Sequence, residues 1–169
     1  PRKIGSHLHL CDCINCDKCI PVCPNDANFY FEIEPFEIEV KNIEIVNGAW
    51  RLVDGGVLAV NESHQIGNFA DACNECGNCD VFCPEDGGPY IEKPRFFGSL
   101  DSWKKWNSLS GFYFKQTNGS TILHGRFGEK EFLLSYENGT ARFHQGKNIV
   151  FLESSSNTVS DVQCIETSN

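Results

Sequence analysis

Several features are scarce or missing in this 169-residue sequence, and each absence excludes a class of protein. There is no methionine, and the chain starts at Pro1, so we expect a piece of a longer polypeptide or a processed form. The first ten residues lack the apolar stretch of a secretory signal, and no apolar run approaches the roughly 20 residues that span a membrane. Cations are few, 14 against 23 acids for a net charge of −9, and such a chain repels phosphate backbones. We expect a cytoplasmic protein with no membrane span and no nucleic-acid partner.

Cysteine, in contrast, is abundant, and eight of the ten cysteines form two runs of identical spacing. Both runs follow the pattern C-x2-C-x2-C-x3-C-P. The first contains Cys13, Cys16, Cys19 and Cys23 before Pro24, and the second contains Cys73, Cys76, Cys79 and Cys83 before Pro84. This pattern is that of bacterial ferredoxins with two [4Fe–4S] clusters. In a reducing compartment, paired C-x2-C runs indicate metal binding more often than disulfides.

The spacing also predicts which cysteines share a cluster. Thiolate sulfur is a soft donor suited to iron, and three cysteines at two-residue gaps can reach three corners of one cube from one loop. In the two-cluster pattern, the fourth cysteine of each run binds the other cluster. We therefore predict one cluster on Cys13, Cys16, Cys19 and Cys83, and a second on Cys73, Cys76, Cys79 and Cys23.

Two alternatives concern the ligands. Four cysteines in two C-x2-C pairs can also build a zinc site, although zinc does not require two identical runs that each end in Cys-Pro. Cys11 competes with Cys13, because Cys11-x4-Cys16 is a possible spacing as well, but the repeated pattern favours Cys13. Cys11 and Cys164 are interpreted as spare thiols.

The remaining sequence predicts mostly strands. Apolar residues alternate with glutamates over residues 28–65, which indicates strands with one buried face, a hairpin turn at Asn47-Gly48 and a second turn at residues 54–56. After residue 96, Asn-Gly and Gly turns separate five strands at 112–116, 120–126, 130–136, 140–145 and 148–153. A short helix within 99–109 is expected to have Asp101 or Ser102 as its N-cap. Residues 1–10 are expected to form a solvated linker.

These patterns predict an α+β fold that is mostly β and irregular. Residues 1–95 are expected to form a ferredoxin-like two-cluster domain with a β-hairpin insertion at about 28–65. Residues 96–153 are expected to form a small antiparallel β-meander domain, and residues 154–169 a flexible tail.

The second run and its surroundings resemble a known family. Residues 73–84, with Phe82-Cys83-Pro84, and the following Gly87-Gly88-Pro89-Tyr90 are similar to the C-terminal ferredoxin segment of large flavin-dependent NAD(P)H oxidoreductases. This family includes proteins named as selenate reductase subunits and relatives of the glutamate synthase small subunit. The resemblance covers residues 13–97 and implies electron transfer between NAD(P)H, a flavin and the clusters.

The sequence contains no G-x-G-x-x-G, so FAD and NAD(P)H are expected only on missing sequence or on a partner. We expect an electron-transfer module of a larger oxidoreductase, with a flavoprotein or another redox subunit as its partner and no substrate site of its own. The alternatives are a free-standing carrier ferredoxin and a zinc-stabilised interaction module.

Overall fold

The computed structural model describes residues 2–153, 155–156 and 158–163. Its helices are α1 (Asn78–Phe82), α2 (Pro89–Glu92) and α3 (Leu100–Lys105). Its first five strands are β1 (Asn28–Glu32), β2 (Phe36–Val46), β3 (Ala49–Val60), β4 (His64–Phe69) and β5 (Arg95–Phe96). The others are β6 (Gly111–Thr117), β7 (Ser120–Phe127), β8 (Lys130–Glu137), β9 (Thr140–Gln145), β10 (Asn148–Glu153) and β11 (Thr158–Gln163). Within these described residues, no helix is long and apolar enough to cross a membrane.

The chain divides into two compact units. The first comprises Pro1–Asn68 and Ala72–Lys93, and the second comprises Phe69–Asp71 and Pro94–Asn169. Both cysteine runs therefore lie in the first unit, whereas the meander lies in the second. The two units are described separately below.

The first unit contains two antiparallel strand pairs. Strand β1 pairs with β4, with Asn28 opposite Asn68 and Glu32 opposite His64. Strands β2 and β3 form a separate two-stranded sheet that turns at Asn47-Gly48, where both residues have positive φ angles of 53° and 78°. Asn-Gly favours this conformation, so the predicted hairpin turn is present.

The second predicted turn, at residues 54–56, is wrong. Glu39 pairs with Val57 and Lys41 pairs with Asp54, so Gly55 and Gly56 both lie opposite Val40. These glycines form a β-bulge within a continuous strand β3. A Cβ atom on Gly55 would lie 2.9 Å from the Val40 carbonyl oxygen. Close backbone approach therefore explains Gly55, and a positive φ of 88° explains Gly56, whereas the chain does not change direction here.

The hairpin β2–β3 also differs from the expectation of one buried face. Only Val60, at its base, is buried, and Val40, Ile43 and Val53 are half-buried. All other residues of the hairpin are exposed, although its sequence alternates as a half-buried sheet does. The alternation therefore predicted the strands correctly, but the buried face that it also predicted is exposed in the described structure.

The N-terminal residues are held in place, contrary to the predicted linker. The Ile4 N–H donates to the Pro84 carbonyl at 2.8 Å, and the Leu8 N–H donates to the Asp86 carbonyl at the same distance. The Leu8 side chain is only 2% exposed. These bonds join the start of the chain to the end of the second cysteine run, and Leu8 adds its side chain to the first unit's core.

The second unit is built around an antiparallel meander. Strands β6 to β10 pair in sequence order, and their bounds agree with the predicted strands to within one residue. Strand β5 is parallel to β6, with Phe96 opposite Phe112. Packing is tight at Gly125, where a Cβ atom would lie only 2.1 Å from the ring of Phe132, which neighbours Phe112 and Phe143.

A sixth meander strand, β11, pairs with β10 at Thr158–Gln163. The prediction of a flexible tail is therefore wrong for these six residues, because Val159 and Val162 alternate as half-buried residues and extend the sheet. Residues 164–169 lie outside the described part of the chain.

Helix α3 is capped at both ends by side chains. Ser99 is the N-cap, because its hydroxyl accepts a hydrogen bond from the Ser102 N–H at 3.0 Å, so neither predicted residue has this role. At the other end, the Arg126 guanidinium donates to the carbonyls of Trp103, Trp106 and Leu109. Arg126 is 2% exposed and lies 3.9 Å from the Trp103 ring, so it organises the centre of the second unit.

Candidate iron–sulfur centre

The two cysteine runs share a backbone conformation as well as a spacing. Corresponding residues lie 60 positions apart, as Cys13 and Cys73 show. Asn15 and Glu75 have positive φ angles of 47° and 54°, and Asp17 and Gly77 have 56° and 78°. Each middle cysteine is therefore flanked by two left-handed residues, which curl the loop and turn successive cysteines toward one side.

The four cysteines predicted for one cluster line a single pocket, which we call the cysteine cavity. They are Cys13, Cys16, Cys19 and Cys83. The structure thus brings a residue of the second run to the three cysteines of the first, as the crossed pattern requires. Leu8, Ile66 and Pro89 supply apolar walls that limit water around the thiols.

Three cysteines of the second predicted set lie near one another around the buried Cys79. The thiol pKa of Cys79 is raised, primarily because the side chain is buried, and the charges of Cys73 and Cys23 raise it further. Hydrogen bonds from the Tyr90 backbone and the Asn28 side chain lower the pKa of Cys79. Cys73, Cys79 and Cys23 therefore lie within electrostatic range of one another. Cys76 is exposed on the same loop, and its N–H donates to the Asn74 side chain.

The two sets adjoin at Cys19 and Cys79. Both are buried, and they pack with Ile66 in one apolar cluster. Burial raises the pKa of the Cys19 thiol to about 12, and the neighbouring Cys79 and Cys83 contribute to this rise. Burial likewise raises the pKa of Cys83, although Lys3 and a backbone hydrogen bond from Glu85 oppose it. Without metal these thiols would hold their protons, so iron binding must displace them.

The donor set is suited to a cluster. Thiolate sulfur is a soft donor that binds iron, and a cubane takes one thiolate at each of its four corners. Among the described residues, no group of three His, Cys, Asp or Glu side chains is placed to hold a single metal ion. The eight predicted cysteines would hold the clusters, which supply one-electron redox chemistry when bound.

Sequence reasoning missed two charged residues in the wall of the cysteine cavity. Lys93 is 3% exposed, and its ammonium donates to the carbonyls of Asp12 at 2.7 Å and His9 at 2.8 Å. Glu85 is 6% exposed, and its carboxylate accepts hydrogen bonds from Ser6 and from the Ile14 N–H. No spacing rule marks either residue, since only the fold brings Lys93 to the first cysteine run.

The remaining thiols lie elsewhere. Cys11 is exposed and does not line the cysteine cavity, whereas Cys13 does. No disulfide joins any of the cysteines in the described part of the chain. Cys164 lies outside the described residues.

Known proteins share the segment that contains this site. Residues 9–86 match the family described as 4Fe-4S dicluster domain. Over 83 residues, the chain is 32% identical to the protein named "Putative oxidoreductase YgfK" from Escherichia coli strain K12, and equally so to that from strain O157:H7. Each match covers 48% of this chain but only 6% of the relative's length. No solved structure matches the chain.

The match over residues 9–86, together with the oxidoreductase relatives, supports an iron–sulfur, ferredoxin-like domain with an electron-transfer role.

Proposed function

We propose that this chain relays single electrons through two [4Fe–4S] clusters as a module of a larger flavin- and NAD(P)H-dependent oxidoreductase. One cluster is held by Cys13, Cys16, Cys19 and Cys83, and the other by Cys73, Cys76, Cys79 and Cys23. The observation that carries the proposal is the cysteine cavity, where Cys83 joins the three cysteines of the other run. The oxidoreductase name of the matched relatives supports the wider context.

The protein's own residues provide what a relay requires. The buried pair Cys19 and Cys79 brings the two cysteine sets next to each other, which favours rapid electron passage between them. Cys16 and Cys76 are exposed, so each set also has one side accessible to a partner. Flavin and NAD(P)H would bind to a partner or to sequence outside these residues.

Anaerobic purification followed by iron and sulfide analysis tests the proposal. Two cubane clusters predict about eight iron and eight sulfide atoms per chain. Cys16→Ser should lower this content, whereas the matched Cys11→Ser should leave it unchanged. A colourless protein with stoichiometric zinc would refute the cluster assignment.

The wider context has a separate test. The native protein is purified anaerobically from its source cells, and the preparation is examined for flavin by absorbance and fluorescence. A flavin-containing polypeptide in constant ratio to this chain is expected. A cluster-loaded protein that purifies without flavin would instead identify a free-standing carrier ferredoxin.

A further inference from the structure

The hairpin β2–β3 presents a large amount of apolar surface to solvent. We call this hairpin, residues 36–60, the arm. Phe36, Ile38 and Leu58 share one face of the arm, because Phe36 lies opposite Val60 and Ile38 lies opposite Leu58. Their side chains are 42%, 46% and 45% exposed. Single exposed apolar residues are ordinary, but several on one face of a hairpin mark an interaction surface.

The arm also lacks the support that such a hairpin normally needs. It forms a two-stranded sheet by itself, and no other strand of the described chain is hydrogen-bonded to either of its edges. An isolated two-stranded hairpin is at best marginally stable in water, because it buries too little apolar surface. A binding partner that covers the arm would supply the missing burial.

A groove at the base of the arm is strongly acidic. Asp17, Glu32 and Glu34 contribute carboxylates to its wall, together with Tyr30 and His64. His64 lies 2.9 Å from the Asp17 carboxylate, whereas Glu32 and Glu34 take part in none of the ion pairs seen in the described part of the chain. This groove is therefore suited to a cationic side chain.

The net charge of the whole segment also favours a cationic partner. Residues 32–62 contain seven carboxylates and two cations, which is a net charge of −5, or more than half of the chain's net charge of −9. Lys41 and Arg51 are already paired with Glu39 and Glu44. A partner with lysine and arginine around an apolar contact would complement this surface.

The groove adjoins the first cysteine loop. Asp17 lies between Cys16 and Cys19 in sequence and also lines the cysteine cavity. The Asn15 side chain donates to the Glu62 carboxylate and to the His64 carbonyl, and so joins the loop to the base of the arm. A protein bound to the groove would therefore lie beside the exposed Cys16.

We infer that the arm and the acidic groove form one docking surface for a redox protein whose contact face is apolar and bordered by lysine and arginine. This inference rests on the proposed function, since it places that partner next to the cluster of the cysteine cavity. A second copy of this chain is a poorer occupant, because it would bring a second segment of charge −5 against the first.

Site-specific photo-crosslinking in the source cells tests the inference. A benzophenone amino acid replaces Leu58 in the arm or, as a matched control, Phe114 in strand β6, which is 57% exposed. Leu58 should give an adduct with one protein surface outside these 169 residues, at least tenfold above the Phe114 control. Mass spectrometry should map the adduct to an apolar site with lysine or arginine beside it.

Charge variants distinguish specific binding at this surface from nonspecific hydrophobic association. Glu32→Gln with Glu34→Gln should reduce the Leu58 adduct about tenfold at low salt, since electrostatic steering has at least this magnitude. Glu129→Gln with Glu137→Gln, on the exposed meander, should leave it unchanged. An adduct with a second copy of this chain, an adduct unaffected by the groove variants, or no adduct above the control would each overturn the inference.

Failure of the docking surface and failure of the proposed function give different results. Iron content and reduction by dithionite are measured on the same variants, and they should match the unsubstituted protein. A cluster-loaded protein without the Leu58 adduct would refute the docking surface alone, whereas a zinc-loaded protein would refute the relay.

Discussion

The buried ammonium of Lys93 should raise the reduction potential of one cluster selectively. Lys93 and the four thiols Cys13, Cys16, Cys19 and Cys83 line the same cavity, and the side chain is almost fully shielded from solvent. A positive charge stabilises an added electron, and burial limits its screening by salt. Removing this charge should therefore make the neighbouring cluster harder to reduce.

The expected magnitude follows from Coulomb's law. At a separation of about 10 Å and an effective dielectric constant of about 20, one unit charge contributes about 1.7 kcal/mol. In a one-electron step, about 1.4 kcal/mol corresponds to about 59 mV. Lys93→Gln should thus lower one midpoint potential by about 70 mV, while glutamine keeps a hydrogen-bond donor toward the Asp12 and His9 carbonyls.

An anaerobic redox titration followed by electron paramagnetic resonance measures this shift. Lys93→Arg keeps the charge and should leave both potentials nearly unchanged. Glu85→Gln removes the opposite charge from the same cavity and should raise the same potential. Equal shifts of both clusters in Lys93→Gln, or no shift with both clusters intact, would show that Lys93 does not act on the cavity electrostatically.

Three further outcomes test other parts of the structure. Cys83→Ser should damage the cluster bound by the first run more than the cluster of its own run, and selective loss of the latter in resonance spectra would refute the crossed ligands. Anaerobic alkylation of the loaded protein should modify Cys11 while the eight predicted ligands stay protected, and peptide mapping that finds Cys11 protected would make it a ligand. Arg126→Leu should reduce the free energy of unfolding of the second unit by about 3 kcal/mol in denaturant titrations, because three helix-end carbonyls lose a charged donor. An unchanged stability would mean that water replaces those bonds, and Arg126→Lys should give an intermediate loss.

Local patterns predicted the second unit well. Asn118-Gly119 and Asn138-Gly139 both contain positive φ angles at the glycine, and Asn138 itself has a φ of 50°. A two-residue turn sets the register of its hairpin, so the strands on both sides follow from the turn. Strand β11 was missed because its segment is rich in Ser and Thr and has only Val159 and Val162 to mark an inner face.

Long-range features of the first unit could not be predicted in this way. The motif predicted that Cys83 would join the first run, but it contained no information about Lys93 or Leu8. Leu8 reaches the cavity through backbone hydrogen bonds between the N-terminal segment and residues 84–86. Lys93 reaches it through side-chain hydrogen bonds to the carbonyls of His9 and Asp12. Such contacts join residues about 80 positions apart, and no local periodicity records them.

The hairpin interpretation failed for a related reason. Asp-Gly-Gly is a common turn signal, and only the pairing of Val40 with two residues distinguishes a bulge from a turn. Alternation, similarly, predicts a face that prefers burial, but what buries that face need not belong to these residues.

The hydrogen bonds between residues 4–8 and residues 84–86 also bear on how the protein is made. A ribosome adds roughly 5–20 residues per second, so about 3–12 seconds separate the synthesis of Cys23 from that of Cys83. During this interval the first cysteine run has neither its fourth cavity residue nor the segment that encloses Leu8. The early thiols of the nascent chain would therefore be exposed to solvent, and cluster insertion would have to wait until residue 93 has left the ribosome.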